Sequence, residues 1–241
     1  MPNKGGNMAR LKRSKDRKVA NSLTPNGKQA RIANSFGLPA GREYSCPAQT
    51  SVCAKICYAG KLEKIYPSVK ENLIHNWNLL KDQDHDTMEE LLMEMIEEFK
   101  QECDKWEAPK VFRIHWDGDF FSSDYAFAWK HVILNNPDVH FWVYTRVESA
   151  AYMLKHIENL SLYFSTDREN LEAAQRLQRE GILLAGLSET FDQAKSMLLE
   201  LGSRSAKCPE QRKQVPLEGA CVSCGICVDG INNITFSISK R

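Results

Sequence analysis

Apolar residues recur at helical spacing over residues 67–81 (PSVKENLIHNWNLLK), which predicts a helix. A second helix is expected from about Asp86 or Thr87, with Glu90 placed for a capping box. It lines up Met88, Leu91, Leu92, Met95, Ile96 and Phe99 on one face. Pro109 precedes a strand, VFRIHWD, at 111–117. Beyond it helix and strand patterns alternate: helix 123–134, strand 140–146, helix 149–158, strand 160–167, helix 168–179, strand 181–188 and helix 190–201. That rhythm implies an α/β fold with a parallel sheet and right-handed crossovers. Four such units are legible, and a fifth is expected near residues 36–48.

The strands have one apolar and one polar face. Phe112, Ile114 and Trp116 share a face opposite Arg113, His115 and Asp117. Phe141 and Val143 oppose Trp142, Tyr144 and Arg146; Leu160, Leu162 and Phe164 oppose Ser161, Tyr163, Ser165 and Asp167. A parallel sheet covered by helices on both sides is apolar on both. The pattern therefore predicts a partial or complete parallel β/α barrel whose lumen is polar, with an open doubly wound sheet as the alternative. Buried charges at Arg113, Asp117, Arg146 and Asp167 must pair with each other or with a ligand.

The 241 residues are 42% hydrophobic and 26% charged, the composition of an ordinary globular protein. No apolar run approaches the roughly 18 residues of a membrane span, so no membrane partner is expected. The basic amino terminus has no following apolar stretch and does not read as a secretory signal. With eight cysteines at ligand spacing, the expectation is metal binding in a reducing cytoplasm. Charge is uneven: residues 1–35 carry nine Lys/Arg and one Asp, a balance of +8, and the remainder carries −7. The leader reads as a basic, partly disordered tail capable of weak, nonspecific nucleic-acid contact. Three regions result: leader 1–35, core 36–205, and a cysteine-rich carboxyl-terminal segment 206–241.

Seven of the eight cysteines form two groups. Cys221, Cys224 and Cys227 make a CxxCxxC run, with Cys208 thirteen residues upstream. Three closely spaced thiolates and a remote fourth suit a 4Fe–4S cluster. Zinc is the alternative metal, although its sites usually use two separate CxxC knuckles. Cys46, Cys53 and Cys57 are spaced C-x6-C-x3-C in a predicted loop. Three thiolates leave one iron of a cluster open for a ligand. A zinc site completed by a histidine or Cys103 is the competing reading, but Cys103 sits on the apolar helix face, as a small core residue would.

Gly118 and Asp119 follow the first core strand, Tyr144, Thr145 and Arg146 end the second, and Ser165, Thr166 and Asp167 end the third. Ligands of β/α proteins bind at that edge.

The order LPAG (38–41), CP…C…CYA (46–59), RIHWDGDF (113–120), FWVYTR (141–146) and the late CxxCxxC resembles the phage "gene product 88" family. More distantly, the layout looks like a radical S-adenosylmethionine enzyme with an auxiliary cluster. That likeness implies a cluster on Cys46, Cys53 and Cys57 and a β/α barrel. It gives Gly118 and Asp119 the methionyl amine, Arg146 the carboxylate, and Ser165 or Asp167 the ribose. Those enzymes space their cysteines C-x3-C-x2-C, unlike this chain. The expectation is a cytoplasmic, phage-encoded iron–sulfur protein acting on an unknown substrate, with His115 and Tyr144 as proton-transfer groups. The alternatives are a nucleic-acid-binding or regulatory factor with structural metal sites, and a redox or iron sensor.

Overall fold

The alternating strands assemble into a seven-stranded parallel sheet. The computed structural model of the chain describes residues 9–19, 21–23 and 29–239. β1 (Asn21–Leu23) and β2 (Gln29–Arg31) form a small antiparallel pair. β3 (Ser35–Gly37) opens the main sheet and is followed by α1 (Ser51–Ile56), α2 (Tyr58–Ile65), α3 (Pro67–Leu80) and α4 (His85–Lys105). Then come β4 (Val111–Asp117), α5 (Ser123–Leu134), β5 (His140–Thr145), α6 (Glu148–Leu154), β6 (Leu160–Thr166), α7 (Leu171–Arg179), β7 (Leu183–Ser188) and α8 (Phe191–Glu200). β8 (Ser205–Lys207), α9 (Ala220–Cys224) and β9 (Asn233–Ser237) finish the described chain. Among the described residues no helix is long and apolar enough to cross a membrane.

The strand order is β3-β4-β5-β6-β7-β9-β8. β3 and β8 are edges that do not meet, so of the expected partial or complete barrel the complete form is excluded: the sheet is not closed. The doubly wound alternative fails as well. β3 to β7 lie side by side in chain order, and right-handed crossovers then put every connecting helix on the same face. The core shows this directly. Phe112, Ile114, Phe141, Val143, Leu162, Phe164 and Leu184 of the strands join one apolar cluster with residues of α4 to α8. Phe112, Phe141 and Phe164 are almost wholly buried, each contributing about 1.5–3 kcal/mol. Cys103 belongs to this core, fully buried on α4.

The polar face of the sheet is covered by the chain itself. Residues 208–232, the connection between β8 and β9, lie across it. Ser161 Oγ donates to the Val228 carbonyl at 2.6 Å, and Tyr163 Oη lies 3.0 Å from the carbonyls of Ile226 and Asn232. Part of the leader joins this cover. Val19 packs with Trp142 and Val228, Gly219 N donates to Arg17 O at 2.8 Å, and Cys221 N donates to Lys18 O at 2.9 Å. Residues 9–19 are thus a packed strap, where a solvated tail was expected; the rest of that expectation falls largely on residues outside the described ones.

Local departures have local causes. Asp84 caps α4 through Thr87 N at 2.9 Å, so the helix begins before the expected Asp86 or Thr87. The fifth strand is β3, short and at the start of the range expected for it. The predicted cysteine loop contains α1, capped by Thr50, and α2, capped by the Cys57 sulfur.

Candidate functional site

The carboxyl-terminal strand edge carries the first cysteine group. Gly118 ends β4 with φ +83°, and a Cβ there would meet Ser45 Oγ at 2.4 Å and the Leu38 carbonyl at 2.9 Å. A bare backbone is therefore needed for the segment leading to Cys46 to seat against β4. Ser45 Oγ donates to the Pro39 carbonyl at 2.7 Å and accepts from Asp119 N at 3.4 Å. Gly118 thus makes its close approach to the protein's own Cys46 segment.

Asp119 is buried and accepts from Thr145 Oγ1 at 2.6 Å, Arg146 N at 2.8 Å and Phe120 N at 2.8 Å. Burial pushes its carboxyl up to about 6, against the pull of those hydrogen bonds. Arg146 Nη1 donates to Asp167 Oδ2 at 2.8 Å, and Thr50 Oγ1 donates to the same oxygen at 2.7 Å. Thr50 in turn accepts from Cys53 N at 3.1 Å. Asp119, Arg146 and Asp167, from three successive strand ends, are therefore brought together and joined to the helix bearing Cys53. Ser165 lies at the same end of β6, where its carbonyl accepts from Asn170 Nδ2 at 3.0 Å.

Of the three thiols, Cys53 lies beside this ion pair, Cys46 beside Asp119, and Cys57 beside Asp117 and Cys53. Burial raises the Cys53 thiol, while the Arg146 charge and hydrogen bond oppose it. Burial also raises Cys46, helped by the Asp119 charge. Cys57 is raised by burial and opposed by the Gly60 amide, which donates to its sulfur at 3.3 Å. Beside them Asp117 and Glu63 form a buried acid pair, and burial followed by Glu63 raises Asp117. Glu63 accepts from Ala40 N at 2.9 Å.

His115 lies elsewhere than the alternation predicted. Its φ of +57° turns the strand and sends the ring to the helix side. There Nε2 lies 2.9 Å from Tyr125 Oη, and the ring packs against Phe120 and Phe36. Burial first, then the Arg113 charge, lowers its pKa to about 3, leaving a neutral imidazole in the core.

The second cysteine group lies under the polar face. Cys221 and Cys227 pack against Trp142 and Tyr144; Cys208 and Cys227 pack against Tyr163, Ala185 and Ile234. α9 is bracketed by left-handed Gly219 and Gly225. Burial pushes Cys221 up to about 12, opposed by Arg113 and Lys18. Burial does the same to Cys227, opposed by the Tyr144 hydroxyl and reinforced by Cys208 and Cys224. Cys227 thus shares one apolar cluster with Cys221 and another with Cys208, and the Cys224 charge also acts on it. Tyr144 is itself held well above its ordinary value, by burial first and then by Cys227.

Arg113 stands between the two groups. Nη1 pairs with Asp16 Oδ2 at 2.5 Å, and Nη2 donates to Tyr58 Oη, next to Cys57, at 3.2 Å. Asp16, Lys18, Thr50, Tyr58 and Glu63 carry no sequence signal for these roles, apart from the position of Tyr58 after a cysteine. Three of the leader's described cations pair with carboxylates: Arg10 with Glu94 and Glu98, Arg13 with Glu102, and Lys18 with Glu210. Among the described residues, no three His, Cys, Asp or Glu side chains stand at the spacing of a single bound metal ion.

No solved structure matches the chain. It is 48% identical to the Gene 88 protein of Mycobacterium phage L5 and 46% identical to that of Mycobacterium phage D29, in each case over 97% of this chain and 100% of the relative. Residues 9–230 match the Gene product 88 family. The chain belongs to the Gene product 88 family.

Proposed function

We propose that this protein is an iron–sulfur protein with a 4Fe–4S cluster on Cys208, Cys221, Cys224 and Cys227, and a second, three-thiolate cluster on Cys46, Cys53 and Cys57. What supports the reading is the placement of Cys208, Cys221, Cys224 and Cys227 under the polar face, with Arg113 acting on Cys221 and Cys227. Four cysteines on one buried face beside a fixed guanidinium suit thiolates on a cluster. Tetrahedral zinc would hold sulfurs about 3.8 Å apart. The single CxxCxxC run with a remote fourth cysteine suits a cuboidal cluster better than the two separate CxxC knuckles usual for zinc.

At the strand edge, S-adenosylmethionine is the ligand that the open iron and the neighbouring charges suit. Asp119 uses three of its roughly four acceptor directions internally. One direction remains for an amine, and Arg146 keeps donors beyond the one given to Asp167. When bound, such a cluster supplies the electron for reductive cleavage of the sulfonium. The protein's own part is to hold the ligand's charged groups at Asp119 and Arg146. The reaction this supports is radical chemistry on a substrate admitted at the strand edge, within the phage-infected cell.

Two experiments test the reading. Cys224→Ala should lose one cluster's iron and spare the other; loss of all iron with the fold intact would mean a single shared site. S-adenosylmethionine added to the reduced protein should change its electron paramagnetic resonance spectrum and release 5′-deoxyadenosine. Neither effect in a cluster-loaded protein would leave an iron–sulfur protein without that ligand.

A further inference from the structure

Two buried N–H donors on the polar face of the sheet have no acceptor among the described residues: Arg113 Nε and Trp142 Nε1. They are cross-strand neighbours, since Arg113 of β4 pairs in register with Trp142 of β5. The guanidinium carbon stands 5.1 Å from the centroid of the Trp142 ring and 6.0 Å from that of Tyr144. Trp142 is in the cluster that packs against Cys221 and Cys227, and the Arg113 charge acts on both thiols.

Leaving a buried donor unpaired is costly. The other nitrogens of Arg113 are spent on Asp16 and Tyr58, which aim the guanidinium and leave Nε free. Carbonyls of Ile226, Val228 and Asn232 already accept from Ser161 and Tyr163 on this face, and the Cys221 and Cys227 sulfurs pack against the Trp142 cluster; with a cluster in place, these sulfurs and its sulfides would be acceptors for the two free donors. Donors to those sulfurs and a fixed nearby cation stabilise the reduced, more negative cluster and raise its potential.

We propose that Arg113 and Trp142 are positioning residues for the carboxyl-terminal cluster, donating N–H···S hydrogen bonds that raise its reduction potential. The proposal rests on the iron–sulfur reading above. It also gives the strap a purpose, because Asp16 is what orients Arg113, and it links the groups, because Tyr58 next to Cys57 holds the same side chain.

The test is a redox titration followed by electron paramagnetic resonance, on full-length protein with the amino-terminal group silenced by Cys53→Ala. Trp142→Phe keeps the ring and removes the donor; Arg113→Lys keeps the charge and removes Nε. Each should retain the carboxyl-terminal iron and sulfide and lower the midpoint. For Trp142→Phe, a tenfold shift in the reduced-to-oxidised ratio corresponds to ~59 mV for a one-electron couple. An unchanged midpoint in both variants at full iron and sulfide overturns the proposal and leaves the iron–sulfur reading standing. A wild-type protein without sulfide overturns the iron–sulfur reading and the proposal together. Should Arg113→Lys fail to fold, Trp142→Phe decides alone.

Discussion

Arg146 and Asp167 form a buried ion pair at 2.8 Å that ties the end of β5 to the end of β6, with Thr50 closing on the same carboxylate oxygen. The pair turns two strand ends into a platform for the helix bearing Cys53. Its loss has a definite cost. Arg146→Ala leaves Asp167 buried without its cation and should destabilise the fold by about 3–5 kcal/mol. Urea unfolding measures this. A loss below about 1 kcal/mol would show that the pair behaves as a solvated one.

Gly118 separates crowding from backbone strain. Gly118→Ala meets Ser45 Oγ at 2.4 Å and also adopts φ +83°, whereas Gly202→Ala adopts φ +76° with nothing within 4 Å. Gly202→Ala should cost about 1–2 kcal/mol from the left-handed backbone alone. Gly118→Ala should cost clearly more and should increase alkylation of Cys46 as its segment lifts. Equal melting temperatures for the two variants would remove the packing role given to Gly118.

His115 sets an acid limit on stability. Its folded pKa, lowered to about 3, lies below the unfolded value near 6.5, so the folded state resists its protonation. Its contribution is complete above about pH 6.5 and is lost as pH falls toward 3, with a slope of up to ~1.4 kcal/mol per pH unit. His115→Asn, which tolerates a positive φ, should be less stable at pH 7 but flatter over that window. An unchanged slope in the variant would place the acid sensitivity elsewhere.

The strap makes a prediction about access. Deleting residues 1–19 removes Asp16 from Arg113 and the backbone acceptors of Gly219 and Cys221. Cys221 and Cys227 should then be alkylated faster in the apoprotein, and Cys46 should not. Equal rates before and after deletion would show that the strap does not seal this face.

The two-residue alternation was enough to assign Phe112, Ile114, Phe141, Val143, Leu162 and Phe164 to the helix side, because the pleat itself imposes that period. It failed at His115, where one left-handed residue shifts the count. The polar face was legible, but what covers it was not: Asp16 meets Arg113 across 97 residues, and no local pattern encodes such a contact. The helices α1 and α2 were missed because SVCAKICYAGKLEKI offers no broad apolar stripe, and α2 buries only Ala59 and Glu63. Barrel closure was over-read, since alternation predicts neighbours in a sheet and says nothing about whether its edges meet. The strand-end groups Asp119, Arg146 and Asp167 could be gathered from sequence because each follows a strand in the same direction.

Whether the cysteine groups hold iron–sulfur clusters is decided by assaying iron, acid-labile sulfide and zinc in protein purified without oxygen. The account predicts a brown protein with about four irons for each cluster, matched by sulfide and free of stoichiometric zinc. One zinc per cysteine group with no sulfide would contradict it, and both thiol groups would then be structural.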